Sequence, residues 1–158
     1  MAERRQSHHY QVTCTWSGST GAGYGAYDRT HHVTTTPETT RLDMSADPAF
    51  RGAPHLLDPE QLLLCAAASC QLLSFLAIAA RARVDVVAYE DEAGALMPED
   101  DPPCRITDIH LRPHITVRGA VSEERVLRLV DLAHQECFIA NSLTSRFEIT
   151  PTIEVTAG

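Results

Sequence analysis

The chain has 158 residues, of which 44% are hydrophobic and 22% charged, and a formal net charge of −8. That composition is too apolar for a disordered chain, and a single domain of this size buries about 68–70% of its unfolded surface without needing a disulfide. An acidic balance with no basic stripe excludes the usual nucleic-acid binder. All thirteen basic residues are arginine, so a complete Walker-type phosphate loop, a Schiff-base lysine and a pyridoxal-phosphate anchor are excluded too.

The polar stretch Met1–His9 lacks an apolar signal-peptide region, which predicts a cytoplasmic location. Residues 1–8 read as a flexible tail on one domain covering 1–158. From Tyr10 to Trp16 apolar and polar residues alternate, the period of a half-buried strand, with Cys14 as a small core residue. Gly18, Gly21, Gly23 and Gly25 follow. They precede another β-like segment rather than a helix, so they form a flexible connection and not a dinucleotide loop. A second strand is predicted over Tyr27–Thr36, with Tyr27, Arg29, His31 and Val33 on one face, and a third over Arg41–Ser45 completes a meander.

Asp58-Pro59-Glu60-Gln61 carries an N-cap, a proline at the first helical position and a capping-box glutamine. The helix they open is apolar almost throughout from Leu62 to Ala80 and closes on Arg81 and Arg83. Nineteen such residues span roughly 28 Å, long enough for a membrane. Ser69, Gln71 and Ser74 interrupt the run, and the segment stands alone in a chain of mean hydropathy −0.15. The expectation is a buried central helix of a globular protein, with no membrane.

Val84–Tyr89 reads as a strand and Asp91–Pro103 as an exposed acidic loop. Ile106–Val117 is a strand in which Pro113 predicts an edge or a bulge. Ser122 caps a second helix with Val126, Leu129, Val130, Ala133 and Cys137 on one face. Phe147–Val155 is a last strand containing Pro151. The order β-β-β-α-β-β-α-β gives an α+β class.

Five cysteines (14, 65, 70, 104 and 137) form an odd set without a C-x-x-C pair, so any that matters does so through reactivity. Cys70 sits mid-helix and Cys137 near the end of the second helix. Taken singly, each is as consistent with an inert core thiol. His134 with Cys137, and the pair His31-His32, have no zinc-site spacing, so no metal is expected. A thiol near pKa 8.5 on an apolar helix stays protonated, and the helix dipole fades well before Cys70. Activating it takes a cation from elsewhere. Arginine suits this because it keeps its charge and several donors, and a desolvated arginine in turn wants a carboxylate. Leu72, Leu73, Phe75 and Leu76 are candidates for an apolar pocket around Cys70.

Asp58-Pro59-Glu60-Gln61-Leu62-Leu63 followed by Ala-Ala-Ala-Ser-Cys70, with Ser45-Ala46-Asp47-Pro48-Ala49-Phe50-Arg51-Gly52 before it, resembles the signature of the OsmC/Ohr family of osmotically inducible and organic-hydroperoxide-resistance proteins. Tyr27-Asp28-Arg29-Thr30-His31, Leu111-Arg112-Pro113 and Cys137-Phe138-Ile139-Ala140-Asn141-Ser142 resemble its other motifs, from about Tyr10 to Val155. Phe-Ile after Cys137, where the Ohr branch has a proline, points to the OsmC-like branch.

The resemblance implies an oxidoreductase, a thiol peroxidase of oxidative stress defence acting on alkyl or fatty-acid hydroperoxides. It makes Cys70 the attacking thiol and Cys137 the partner that closes a disulfide. Arg29 activates the thiolate and Glu60 orients the arginine. It also implies an intertwined homodimer, no cofactor, and a dithiol reductant, lipoyl-type in the Ohr branch. Along one straight helix Glu60 and Cys70 lie about 15 Å apart, so a dimer would bring Glu60 to Cys70 in trans. The alternative is a non-enzymatic dimer that binds a small apolar ligand or senses redox state.

Overall fold

The structure, a computed structural model, describes residues 7–20, 23–35 and 40–157. Most of the expected N-terminal tail, Gly21 and Thr36 lie outside these residues. The chain divides into two compact units, one up to Leu62 and one from Leu63 onward. Its elements are α+β, as the sequence predicts, but with nine strands among the described residues where that reading has six.

The first unit is an antiparallel meander of β1 (Val12–Thr15), β2 (His31–Thr35) and β3 (Arg41–Met44), in that spatial order. Its first strand departs from expectation. Residues 7–20 are exposed throughout, Cys14 included. The alternation of Tyr10, Val12, Cys14 and Trp16 marks a face that has no cover within the unit. The second strand also starts four residues late. Trp16 Nε1 donates to the Asp28 carbonyl at 2.8 Å, and Asp28 Oδ1 accepts from the Thr30 amide at 2.9 Å. These bonds hold the segment before His31 in a turn, so Tyr27 and Arg29 fall outside β2.

A tight connection leads from β3 towards the helix. Ser45 Oγ accepts from the Ala53 amide at 3.0 Å, and Asp47 Oδ1 caps a single 3-10 turn at Pro48–Phe50. A Cβ added at Gly52 would meet the Ala46 carbonyl oxygen at 1.5 Å, so only glycine allows this approach. Asp58 and Gln61 then form the capping box: Asp58 Oδ1 accepts from the Gln61 amide at 2.7 Å, and Gln61 Oε1 from the Asp58 amide at 3.3 Å.

That box opens α1 (Pro59–Arg81), which is unbroken. Val84 N–H bonds Ala79 O at 2.9 Å and Arg83 N–H bonds Ala80 O at 3.1 Å. Arg83 is left-handed, with φ 58°. This is the pairing of a Schellman stop, with arginine where glycine is usual. Although α1 is apolar all round, its buried residues are Ala67, Gln71, Phe75, Ile78 and Ala79, a single stripe at helical spacing. Leu73 is 63% exposed. The expected buried central helix is therefore covered along one side only within the chain. By length and composition alone α1 also passes for a membrane span, and its most apolar window is 28% buried.

The second unit holds two three-stranded sheets, ordered β4-β7-β9 and β5-β6-β8. The strands are β4 (Asp85–Asp91), β5 (Gly94–Leu96), β6 (Asp108–Leu111), β7 (Pro113–Arg118), β8 (Arg146–Ile149) and β9 (Thr152–Thr156), with α2 (Glu123–Gln135) between β7 and β8. The segment expected as one strand over Ile106–Val117 breaks before Pro113, and the last strand breaks at Pro151. Each break hands the chain from one sheet to the other, so β6 pairs with β8 and β7 with β9, both in parallel. Pro113 marks neither an edge nor a bulge: β7 is the central strand of its sheet, and the register shift lies at Val86/Ala88. As the first residue of β7, Pro113 sits where a missing N–H is tolerated. The acidic loop also contains β5, which pairs with β6.

Ser122 Oγ caps α2 by accepting from the Arg125 amide. Val126, Val130 and Ala133 from α2 pack with Phe75, Ile78 and Ala79 of α1 and with Ile115 and Val117 of β7. A smaller core joins Ala67 to Ile109 and Leu111 of β6.

Candidate active site

Cys70 and Cys137 meet in the second unit. Cys70 lies midway along α1 and is partly exposed. Cys137 follows the end of α2, where its amide bonds the His134 carbonyl at 3.2 Å. It is 1% exposed. Burial is the main cause that raises its pKa above the ordinary thiol value, and a hydrogen bond with Cys70 adds to it. Cys137 is therefore harder to deprotonate than an ordinary thiol. Two backbone amides oppose the rise: Ala140 N–H donates to Cys137 Sγ at 3.5 Å, and Ile139 N–H acts in the same sense.

Cys70 opens onto a cleft of about 670 Å³. Ser69, Leu73, Ala77 and Arg81 of α1 line it, with Phe138 and Asn141 from the segment around Cys137. Of the four residues expected to form the pocket, Leu73 alone lines this cleft. Phe75 is fully buried in the core, since five residues carry it about 140° around the helix from Cys70. Leu72 is half-buried and Leu76 is 38% exposed. Arg81, which closes α1, also borders the cleft. At eleven residues from Cys70 it returns to the same face, a signal that helical spacing already carried.

Arg29 and Glu60 share a different cavity, within the first unit, of about 460 Å³. Trp16, Tyr24, Tyr27, His31 and Phe50 also line it. The Arg29 guanidinium donates from Nη1 to the Tyr27 carbonyl at 2.9 Å and from Nη2 to the Tyr24 carbonyl at 2.7 Å. Its Cζ lies 4.0 Å from the centroid of the Tyr27 ring and 4.8 Å from that of Tyr24. Aromatic faces and carbonyl oxygens thus compensate the cation. Among the described residues no ion pair joins Arg29 to Glu60.

Cys14, Cys65 and Cys104 are free and exposed. Among the described residues no group of three or more His, Cys, Asp or Glu side chains is placed to hold a metal.

One long apolar helix among the strands of an α+β chain is a fold with many solved counterparts. The profile of the OsmC-like proteins matches residues 52–152, and the chain belongs to that family. An OsmC-like protein of unknown function from Vibrio cholerae is 26% identical, with a TM-score of 0.80 over 93% of this chain and 99% of its own. An organic hydroperoxide resistance protein from Elizabethkingia anophelis, with thiocyanate bound, is 17% identical at a TM-score of 0.71, covering 97% and 100%. An organic hydroperoxide resistance protein, OsmC, from Legionella pneumophila is 15% identical at 0.69, covering 95% and 99%. The latter two share the fold. No curated protein matches the chain.

Proposed function

We propose that the protein is a cysteine-based peroxidase that reduces organic hydroperoxides in oxidative stress defence in the cytoplasm. The observation that carries this reading is the contact between Cys70, open to a largely apolar cleft, and the buried thiol of Cys137. The Cys70 thiolate attacks the outer peroxide oxygen. The O–O bond breaks, the alcohol leaves with a proton, and Cys70 becomes a sulfenic acid. Cys137 then attacks the Cys70 sulfur, water leaves, and the disulfide closes. A dithiol, lipoyl-type by family resemblance, returns two electrons and restores both thiols.

In this reading Arg29 activates the Cys70 thiolate and holds the peroxide, and Glu60 orients Arg29. The working unit is a homodimer. Supporting that is the uncovered apolar side of α1, where Leu73 is 63% and Leu76 38% exposed. A second copy is the natural cover for such a face. With antiparallel α1 helices in the pair, Glu60 of one chain serves Cys70 of the other.

The test is peroxide consumption with a dithiol reductant. Wild type should turn over cumene and t-butyl hydroperoxide faster than hydrogen peroxide, which gains little from an apolar cleft, and Cys70→Ser should abolish it. Full activity in Cys70→Ser overturns the reading. A wild type that consumes no peroxide favours the non-enzymatic, ligand-binding dimer.

A further inference from the structure

The two sulfurs of the proposed disulfide differ in access. Exchange proceeds by attack of a thiolate on one sulfur, with the other leaving, so the sulfur attacked must be one that a reductant can reach. Cys70 lines the open cleft, whereas Cys137 is 1% exposed.

We infer that the dithiol reductant attacks the Cys70 sulfur, and that Cys137 is the leaving thiol. This rests on the peroxidase reading and assigns the order of its reductive half. A reductant thiolate enters by the cleft and bonds to Cys70 Sγ as the Cys70–Cys137 bond breaks. The electron pair of that bond leaves on Cys137, where the Ala140 amide already donates to the sulfur at 3.5 Å. The proton lost by the reductant ends on Cys137. The reductant's second thiolate then attacks its own sulfur in the mixed disulfide, closes a cyclic disulfide, and releases the Cys70 thiolate.

One effect opposes this order. A group with a raised pKa leaves more slowly, and burial raises that of Cys137. Access decides the matter, because a slower leaving group changes a rate and a blocked sulfur prevents the step.

The experiment starts from wild-type protein oxidised with diamide, which joins neighbouring thiols without any peroxidase activity. Limiting 2-mercaptoethanol opens the bridge, acid stops exchange, and peptide mapping locates the adduct. The expected result is mercaptoethanol on the Cys70 peptide in about tenfold or greater excess, with Cys137 free. An adduct chiefly on Cys137, an even split, or no Cys70–Cys137 bridge after diamide overturns the inference. Because diamide bypasses the peroxide, a chain inactive towards hydroperoxides would still report which sulfur is attacked, so the two failures remain distinct.

Discussion

Gln71 Nε2 donates to the Val130 carbonyl at 3.2 Å, tying the middle of α1 to α2 one residue away from Cys70. The tie is poor value as a stabilising device. A buried hydrogen bond contributes about 0.5–1.5 kcal/mol net, while the other amide atom, Oε1, is buried without a partner among the described residues, which costs about 1–3 kcal/mol. Position is the better account. Gln71→Met, of similar shape, should change unfolding stability by no more than about 1 kcal/mol in either direction. It should slow closure of the Cys70–Cys137 disulfide about tenfold, as a small misplacement of reacting groups does. Dimedone trapping of the Cys70 sulfenic acid reads the closure rate. Unchanged closure would show that the tie does not position the cysteines.

Removing the second thiol isolates the first step. In Cys137→Ser, one equivalent of cumene hydroperoxide should leave Cys70 as a sulfenic acid, and excess peroxide should carry it to the sulfinic and sulfonic acids. Mass spectrometry of the Cys70 peptide follows the added oxygens. A disulfide from Cys70 to Cys65 in this variant, with no overoxidation, would count against Cys137 as the resolving thiol.

The trans arrangement is tested by mixing defects. Co-expressed Cys70→Ser and Glu60→Ala chains give a mixed dimer in which one of two sites has every residue intact if Glu60 acts across the pair. Its activity should return to roughly half that of wild type by site counting. Activity no higher than the mean of the two parent mutants would place Glu60 and Cys70 of one chain in the same site.

Tyr89 should make the fold less stable at alkaline pH. Its ring packs against Phe75 with centroids 6.0 Å apart, and its hydroxyl is buried without a hydrogen-bond partner among the described residues. Burial, then the neighbouring Asp91 charge, raises the phenol above its ordinary value of 10.0. Burial likewise raises Cys137 above 9.0. The native state therefore keeps these protons where the unfolded chain has shed them. Stability from both groups is complete below about pH 9 and falls as pH rises beyond it. Tyr89→Phe removes the unpaired hydroxyl, so it should raise stability at pH 7 by up to about 1 kcal/mol and lessen the alkaline loss. Urea unfolding at pH 7 and pH 10.5 measures both, and a Tyr89→Phe protein that loses stability at pH 7 would reveal a partner for the hydroxyl.

Local chemistry made the helices legible. Asp58, Pro59 and Gln61 place the start of α1, and Ser122 that of α2, because caps act within one turn. Strand burial was another matter. The alternation around Cys14 records which face of β1 wants cover but not whether this chain supplies it. Pro113 and Pro151 announce breaks in the strands, whereas the exchange between sheets depends on pairing partners some forty residues away in sequence. For the site, Cys70 and Cys137 stood out through the family motifs. Neighbours of Cys70 in sequence are not its neighbours in the cleft wall, which also takes Ala77 and Arg81 from the same side of the helix. No sequence pattern announced that Arg29 rests on Tyr24 and Tyr27.

The uncovered side of α1 also bears on how the protein is made. A newly synthesised copy presents that apolar surface before it meets another, and to a chaperone or a lipid bilayer a run of this length and hydropathy resembles an unfinished membrane span. Exposed apolar surface of this kind drives aggregation at micromolar concentrations. Recovery of soluble protein should therefore depend on how synthesis is paced against encounter between copies. Slow expression at low temperature should raise the soluble yield, and so should a polar residue at Leu73 if it spares the fold, but the second remedy would remove the surface on which the proposed pairing depends.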